Sequence, residues 1–512
     1  MDPLSETAHQ APSLLLSPSK TVLGTFPNGS RLNHLMKSVL TSAAFVLAAS
    51  PLASAQTPVN ANSVVELPSH APVDGKADHE TVAMNHRGDV FVVWSSSVFS
   101  LSGPDSVIRR VEGAFFRRTG ATTWDLYPTE ILGEADPIAL PSGVSVYAAG
   151  DICRKADVVA VGNDFVVGWQ RIENADTANG RIEVALIEAP VSGNANYHLM
   201  DASGIGWVLD SFDPRGAGGM LDLACQRGTS SPVAVAYAHR TNKFAIGPGD
   251  FAWDFDLRAL TFDFPTAGLA PTVNTVNTLT SVPFDDLSAS AVDRGRVLPD
   301  LVFDSWGNVV IAFEDFARGE RISGSEPDFG QMHLNRYSVD AFGVFTEVNA
   351  QILLGSSTEF AQRRPNLFRS PWNDAVSIAW GEIQLPGSSI EIFHMDAVYP
   401  NAVDDPSFVD HAPSAVQNNI DPGVPTPLQY KTVRGVVITV DPNPGAYHAG
   451  YQLSNSPNWE LLRDFEGKLP WRPALDVLES DPLRPGKGIV SLSFEGRDST
   501  TLSRIFTEFL TI

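Results

Sequence analysis

One short pattern, repeated along the chain, constrains what this protein can fold into more than any other feature. Residues Pro299 to Phe313 read as an apolar strand (Leu301-Val302-Phe303), a turn closed by Gly307-Asn308, and a second apolar strand that ends on an aromatic. The same order of residue types recurs from Glu80 to Trp94, from Asp157 to Trp169 and from Asn366 to Trp380. A unit repeated at this length cannot bury both of its faces alone, so neighbouring copies must pack on one another. The chain is therefore expected to be all-β and built of stacked or radially arranged copies.

The aromatic that closes the second strand serves as a ruler: Trp94, Trp169, Tyr237, Phe313, Trp380, Tyr451 and Phe494. Most intervals are about 65–75 residues, room for a four-stranded antiparallel sheet, which is the size of a propeller blade. Further strands are expected at Ser106 to Arg118, Trp124 to Leu132, Arg181 to Glu188, Phe251 to Phe262, Gln331 to Tyr337 and Ile390 to Val398. The sixth unit has room only for Trp459 to Phe465 after its ruler, so six blades is the alternative to seven. The last unit is one strand short. Val64 to Leu67 can supply that strand, joining the two ends of the chain and leaving no open sheet edge. Two separate β-sandwiches are the competing architecture; the repeats run through without a linker.

The unit carrying Pro299, Asp304, Gly307-Asn308 and Phe313 resembles the repeats of secreted bacterial β-propellers, among them sialidase-like and other seven-bladed proteins. The resemblance spans the mature chain and implies a propeller fold. It does not imply sialidase activity: Thr119-Gly120-Ala121-Thr122-Thr123-Trp124 lacks the Asp of the sialidase Asp-box and misplaces its Gly.

Charge and the N-terminal region narrow the function. The formal charge is −24, from 59 acidic against 35 basic side chains, which opposes a nucleic-acid partner and an anionic membrane surface. Met36-Lys37, the apolar run Val39 to Leu47 and Ala53-Ser54-Ala55 form the three parts of a secretory signal, too short in its apolar part to span a bilayer. The expected organisation is an extension at 1–35, a signal peptide at 36–55 and one propeller at 56–512, exported to the periplasm or beyond as a monomer. In an oxidising compartment Cys153 and Cys225 are candidates for a disulfide, although the strand register sets them several residues apart in height. No metal-ligand spacing, Walker loop, dinucleotide fingerprint or Gly-x-Ser-x-Gly elbow occurs, so no cofactor is expected.

In a propeller, residues before each inner strand and after each ruler converge on one mouth of the central channel. They include His79, Asp157, Arg171, His239, Asp300, Asp315, Arg364, Glu382 and Arg497, a mixed set suited to a polar ligand or to ion pairs between blades. Long connections at Arg240 to Asp250, Phe316 to Asp328, Asn194 to Gly219, Val282 to Val297 and Asn401 to Gln429 point to binding there. The expected ligand is a glycan or a protein. An extracellular lyase or glycoside hydrolase is the alternative, with Tyr237 and His239 as acid and base and Arg171 neutralising a substrate carboxylate; Tyr237 equally serves as packing.

Overall fold

A computed structural model describes residues 56–69, 76–99, 107–134, 152–173, 179–200, 205–211, 221–226, 229, 232–247, 250–280, 294–315, 331–349, 351–354, 360–369, 375–384, 390–414, 430–433, 436–440, 448–453, 459–464, 469–478, 481–485, 487–497 and 503–511. The chain divides into two units, 1–52 and 53–512; the first, with most of the signal region, lies outside the described residues. Within the second unit the described residues contain strands and turns and no helix, hence none able to cross a membrane.

The described strands sort into seven antiparallel sheets, the third and fourth joined by a short parallel pairing of Asp254-Phe255 with Arg294-Gly295. Their innermost strands are Lys76–Met84, Ile152–Val161, Leu221–Cys225, Arg294–Phe303, Phe360–Arg369, Tyr430–Val433 and Leu469–Leu478. Each touches the innermost strand of the next sheet, and Leu469–Leu478 also touches Lys76–Met84. Sheets set face to face around shared inner strands make this a β-propeller.

The ruler strands are unbroken apolar runs because both of their faces are buried. In Val90-Phe91-Val92-Val93-Trp94, Phe91 and Val93 pack toward the second sheet with Phe165, Val167 and Trp169. Val90, Val92 and Trp94 face the opposite way, toward Ala474, Ile489 and Phe509 of the seventh. Likewise Val309, Ile311 and Phe313 meet Ala234 and Ala236 of the third sheet, while Val310 and Ala312 meet Val376 and Trp380 of the fifth. Small residues opposite large ones let these faces interdigitate. Trp94, Trp169, Tyr237, Phe313, Trp380 and Phe494 are all buried.

Buried arginines lock two seams on the hairpin side. The turn after the fourth inner strand is held by Asp304, whose carboxylate accepts the N–H groups of Trp306 (2.8 Å) and Asn308 (2.9 Å). Gly307 takes φ 82 there, which a glycine adopts without strain. Arg336 on the third strand pairs with Asp304 at 2.6 Å, donates to the carbonyls of Asn401 and Asp404 in the fifth sheet, and lies 4.1 Å over Tyr399. In the first sheet Arg118 reaches the other way, toward the preceding sheet, and pairs with Asp481 of the seventh at 2.7 Å.

The N-terminal segment ties together the first and last sheets. Thr57–Asn60 pairs with Thr123–Leu126, and Val65–Glu66 pairs with Ser503–Thr511. Between them Asn62, at φ 62, donates its N–H to Phe509 O at 2.8 Å. Asparagine is one of the few side chains that tolerates that conformation.

Three expectations need correction. Tyr451 does not close a second strand: the second strand of the sixth sheet is Val436–Val440, and Tyr451 stands opposite Ile438 on the third. The connection Arg240 to Asp250 is largely a hairpin, because Val233–Gly247 continues paired with Asp250–Asp263. Cys153 and Cys225 are not bonded to each other. The Asp157 carboxylate takes the Leu223 N–H at 2.7 Å, which levels the two inner strands. Cys153 lies four residues before that level and Cys225 two after it, a separation on the order of 20 Å along the strands, far beyond disulfide reach. Burial pushes the Cys225 thiol up to about 11, so it stays protonated at neutral pH.

Candidate functional site

The site is framed by a device repeated on the inner strands. Their pairing with the second strand slips by one bulge at the same height in five sheets: between Asp78 and Thr81, Arg154 and Asp157, Val297 and Asp300, Arg363 and Asn366, and Trp471 and Ala474. A bulge leaves a residue out of the ladder, so proline is tolerated there, and Pro299, Pro365 and Pro473 occupy that place. Leu298 beside Pro299 takes φ 51, a left-handed value that is uncommon for leucine.

Directly after the bulge level come the latches. Asp157, Asp222 and Asp300 each accept a backbone N–H from the next inner strand, from Leu223 (2.7 Å), Leu301 (2.8 Å) and Leu367 (3.1 Å) respectively. Asn366, the fifth sheet's counterpart, donates its amide to Asp300 at 3.0 Å. Asp476 of the seventh sheet accepts the Met84 N–H of the first at 2.7 Å. Adjacent inner strands diverge too much to share a ladder. The carboxylate supplies the acceptor that the neighbouring backbone lacks.

From the latch level toward the hairpins runs a cavity of about 220 Å³. It is lined by inner strands of six sheets, with Asp157, Asp222, Asp300 and Asp476 as acids, Arg369 as base and Asn85 and His86 at its rim. Its walls are otherwise apolar side chains such as Leu223, Leu301 and Leu475. Among the described residues no group of His, Cys, Asp and Glu has the arrangement of a metal site.

On the other side of the bulges stand the ends of the second strands. Arg171 is buried and 3.7 Å from Glu183 of its own sheet, which also pairs with Arg181 at 2.7 Å and accepts from Trp169 Nε1 at 3.0 Å and Gly206 N at 3.2 Å. Burial raises the Glu183 carboxyl above its ordinary range against the pull of both guanidinium groups. Tyr237 donates its hydroxyl to Asp210 of the second sheet, and Arg258 lies 3.5 Å from the same carboxylate. Burial, and then the Asp210 charge, hold the phenol well above its usual range. His239 is buried one step further along, opposite Asp256.

The sequence-derived residues thus separate into three groups. Asp157 and Asp300 are latches that also line the cavity. Tyr237 and Arg171 are engaged with carboxylates of the second sheet, Asp210 and Glu183. His79, Asp315, Arg364, Glu382 and Arg497 have described backbones, and their side chains lie outside the described residues. Asp315, Glu382 and Arg497 stand opposite Arg296, Gln362 and Leu469, near the start of the inner strands, at the end expected for the mouth. The loops Phe316 to Asp328 and 281–293 lie outside the described residues. Sequence reasoning missed Asp222 and Asp476 as cavity-lining acids, and Glu183 and Asp210 as buried partners. Leu221-Asp222-Leu223 and Pro299-Asp300-Leu301 share the signal that could have exposed the first of these.

No family model and no curated relative matches the chain. Solved structures do match. A protein of unknown function from Dyadobacter fermentans is 10% identical, covering 88% of this chain and 98% of its own, at TM-score 0.40. An alpha-L-arabinanase of Penicillium chrysogenum is 9% identical over 89% of this chain and 98% of its own, at 0.39. The Trypanosoma rangeli sialidase is 12% identical over 88% of this chain and 58% of its own, at 0.40.

Proposed function

We propose that this chain is an exported, monomeric, seven-bladed propeller, closed by its N-terminal segment, that binds a polar ligand where its inner strands converge. A glycan is the occupant in this reading, and a protein is the other one to test. The observation that carries it is the convergence: inner strands of six sheets share one cavity whose walls mix apolar side chains with fixed carboxylates. The pairing of Val65–Glu66 with the last strand supports ring closure.

The enzyme reading requires an acid and a base free to exchange protons at the mouth. Tyr237 fits that role poorly, since its hydroxyl is spent on Asp210 and its ionisation is strongly disfavoured. Binding without turnover is therefore the stronger reading. Incubation with a panel of polysaccharides, read by affinity electrophoresis and by assays for new reducing ends and unsaturated sugars, tests it. Retardation by at least one polymer with no product is expected. Product formation would transfer the site to the enzyme class, and no retardation by any polymer would remove the glycan.

A further inference from the structure

We infer that the ligand is an anionic oligosaccharide, held by a cationic arc at the bulges of the inner strands. This rests on the reading above that the inner strands converge on a ligand, and it names the ligand class while setting the ligand at the mouth end, across the latch level from the cavity.

The paired residue before each slip and the first residue of each bulge make ten positions: Asp78, His79, Arg154, Lys155, Val297, Leu298, Arg363, Arg364, Trp471 and Arg472. Five of the ten are Lys or Arg and one is acidic, in a chain where 35 of 512 residues are Lys or Arg and acids outnumber bases by 24. At the chain's average frequency, fewer than one such base belongs there. The concentration of positive charge runs against the sign of the whole molecule.

In the backbone ladder neither paired base stands opposite an acid. Arg154 stands opposite Gln170 and Arg363 opposite Gly381, whereas Glu314 and Glu495 stand opposite Val297 and Trp471. A residue in a bulge has no ladder partner, which is why bulges so often carry binding groups. The bases are also unevenly spread. The fifth, seventh, first and second sheets contribute Arg364, Arg472, His79 and Lys155, while the fourth contributes Leu298, with Glu314 and Asp315 behind it. The inner strands follow one another through the sixth sheet, so the bases fall on one continuous run of sheets, from the fifth round to the second, that leaves out only the third and fourth.

Guanidinium groups bind carboxylate and sulfate oxygens in a bidentate fashion, at a geometry that a lone ammonium cannot match. The net charge of −24 does not prevent this, because at physiological salt charges beyond about 8 Å are largely screened and the nearest ones decide.

The test uses the full chain and three immobilised polymers: polygalacturonate, its fully methyl-esterified form and dextran sulfate. Retention on polygalacturonate, weakened by raising the salt from about 50 to about 200 mM and at least tenfold weaker on the methyl ester, is expected. Equal retention on dextran sulfate would assign the site to anions generally, and its absence would restrict it to carboxylates; both support the arc. The triple variant Lys155→Gln, Arg364→Gln, Arg472→Gln should lose tenfold or more, with Arg364→Gln and Arg472→Gln separately measured in case the triple variant is unstable. Arg504→Gln removes a charge from the last strand and should leave retention unchanged. Undiminished binding by these variants, or equal binding to the methyl ester, overturns the inference. Retention on neutral polymers alone would sink the arc and leave the binding site standing; retention on none would sink both.

Discussion

At the seam between the fourth and fifth sheets, Arg336 pairs with Asp304 of its own sheet and crosses the seam to neutral groups, two carbonyls and the Tyr399 ring. At the seam between the seventh and first, the ion pair itself crosses, from Arg118 to Asp481, and Asp481 holds a second cation, Arg484, at 2.6 Å. Both arginine side chains are 2% exposed and both carboxylates are fully buried. One seam therefore depends on a single cation, while the other shares its carboxylate between two. A buried charge tolerates loss of its partner only as far as other donors remain.

The sharpest test of that difference is Arg336→Met against Arg118→Met, compared by urea unfolding. Leaving Asp304 with backbone N–H donors but no cation should cost roughly 3–5 kcal/mol. Arg118→Met should cost about 2 kcal/mol, because Arg484 and the Leu483 N–H still serve Asp481. Equal losses would break the comparison.

Next come the turn glycines. Gly88 and Gly307 both lie at φ near 80, so alanine strains either turn by about 1–2 kcal/mol. An added Cβ at Gly88 would lie 2.7 Å from Arg118 Cδ, whereas at Gly307 it meets nothing within 4 Å. Gly88→Ala should therefore lower the melting temperature further than Gly307→Ala.

A pH series sharpens the same contrast. Burial would raise the Asp481 carboxyl, but hydrogen bonds from Arg118, Arg484 and the Leu483 N–H outweigh it and hold it well below the usual range. A depressed carboxyl adds stability above its unfolded value near 3.9, and that stability is lost as pH falls below about 4. Asp481→Asn should flatten the acid limb of the stability curve while lowering the neutral plateau. An unchanged acid limb would remove Asp481 from the account. The smallest effect belongs to Trp306→Ala. Its ring is half exposed and its Nε1 donates to Tyr399 O at 3.1 Å, so a loss under about 1 kcal/mol is expected from the same unfolding curves.

How far the sequence could be read follows from what each residue touches. The ruler strands were legible because two buried faces leave an uninterrupted apolar run, as in Val309-Val310-Ile311-Ala312-Phe313. The sixth sheet was misread because Val436-Val437-Ile438-Thr439-Val440 carries no terminal aromatic, which drew the ruler to Tyr451 on the next strand. Asp157 and Asp300 were found as polar residues at the axis, but their role as backbone acceptors was not, since an acceptor for an N–H in another sheet has no fixed sequence spacing. Glu183 and Asp210 were invisible for the same reason. Glu183 between Ile182 and Val184, and Asp210 after Leu209, carry the alternation of an ordinary half-exposed strand.

The clasp of Val65 on Thr507 and Glu66 on Phe506 sets a schedule for the nascent chain. With about 440 residues between the two, and synthesis at roughly 5–20 residues per second, the opening segment waits about 20 to 90 seconds for its partner. Until then Val65–Glu66 stands without its partner strand, and the unfinished chain offers bare edges to any neighbour. A polypeptide with this wiring gains from being kept extended, by a chaperone or by threading through a translocation pore, until its tail arrives.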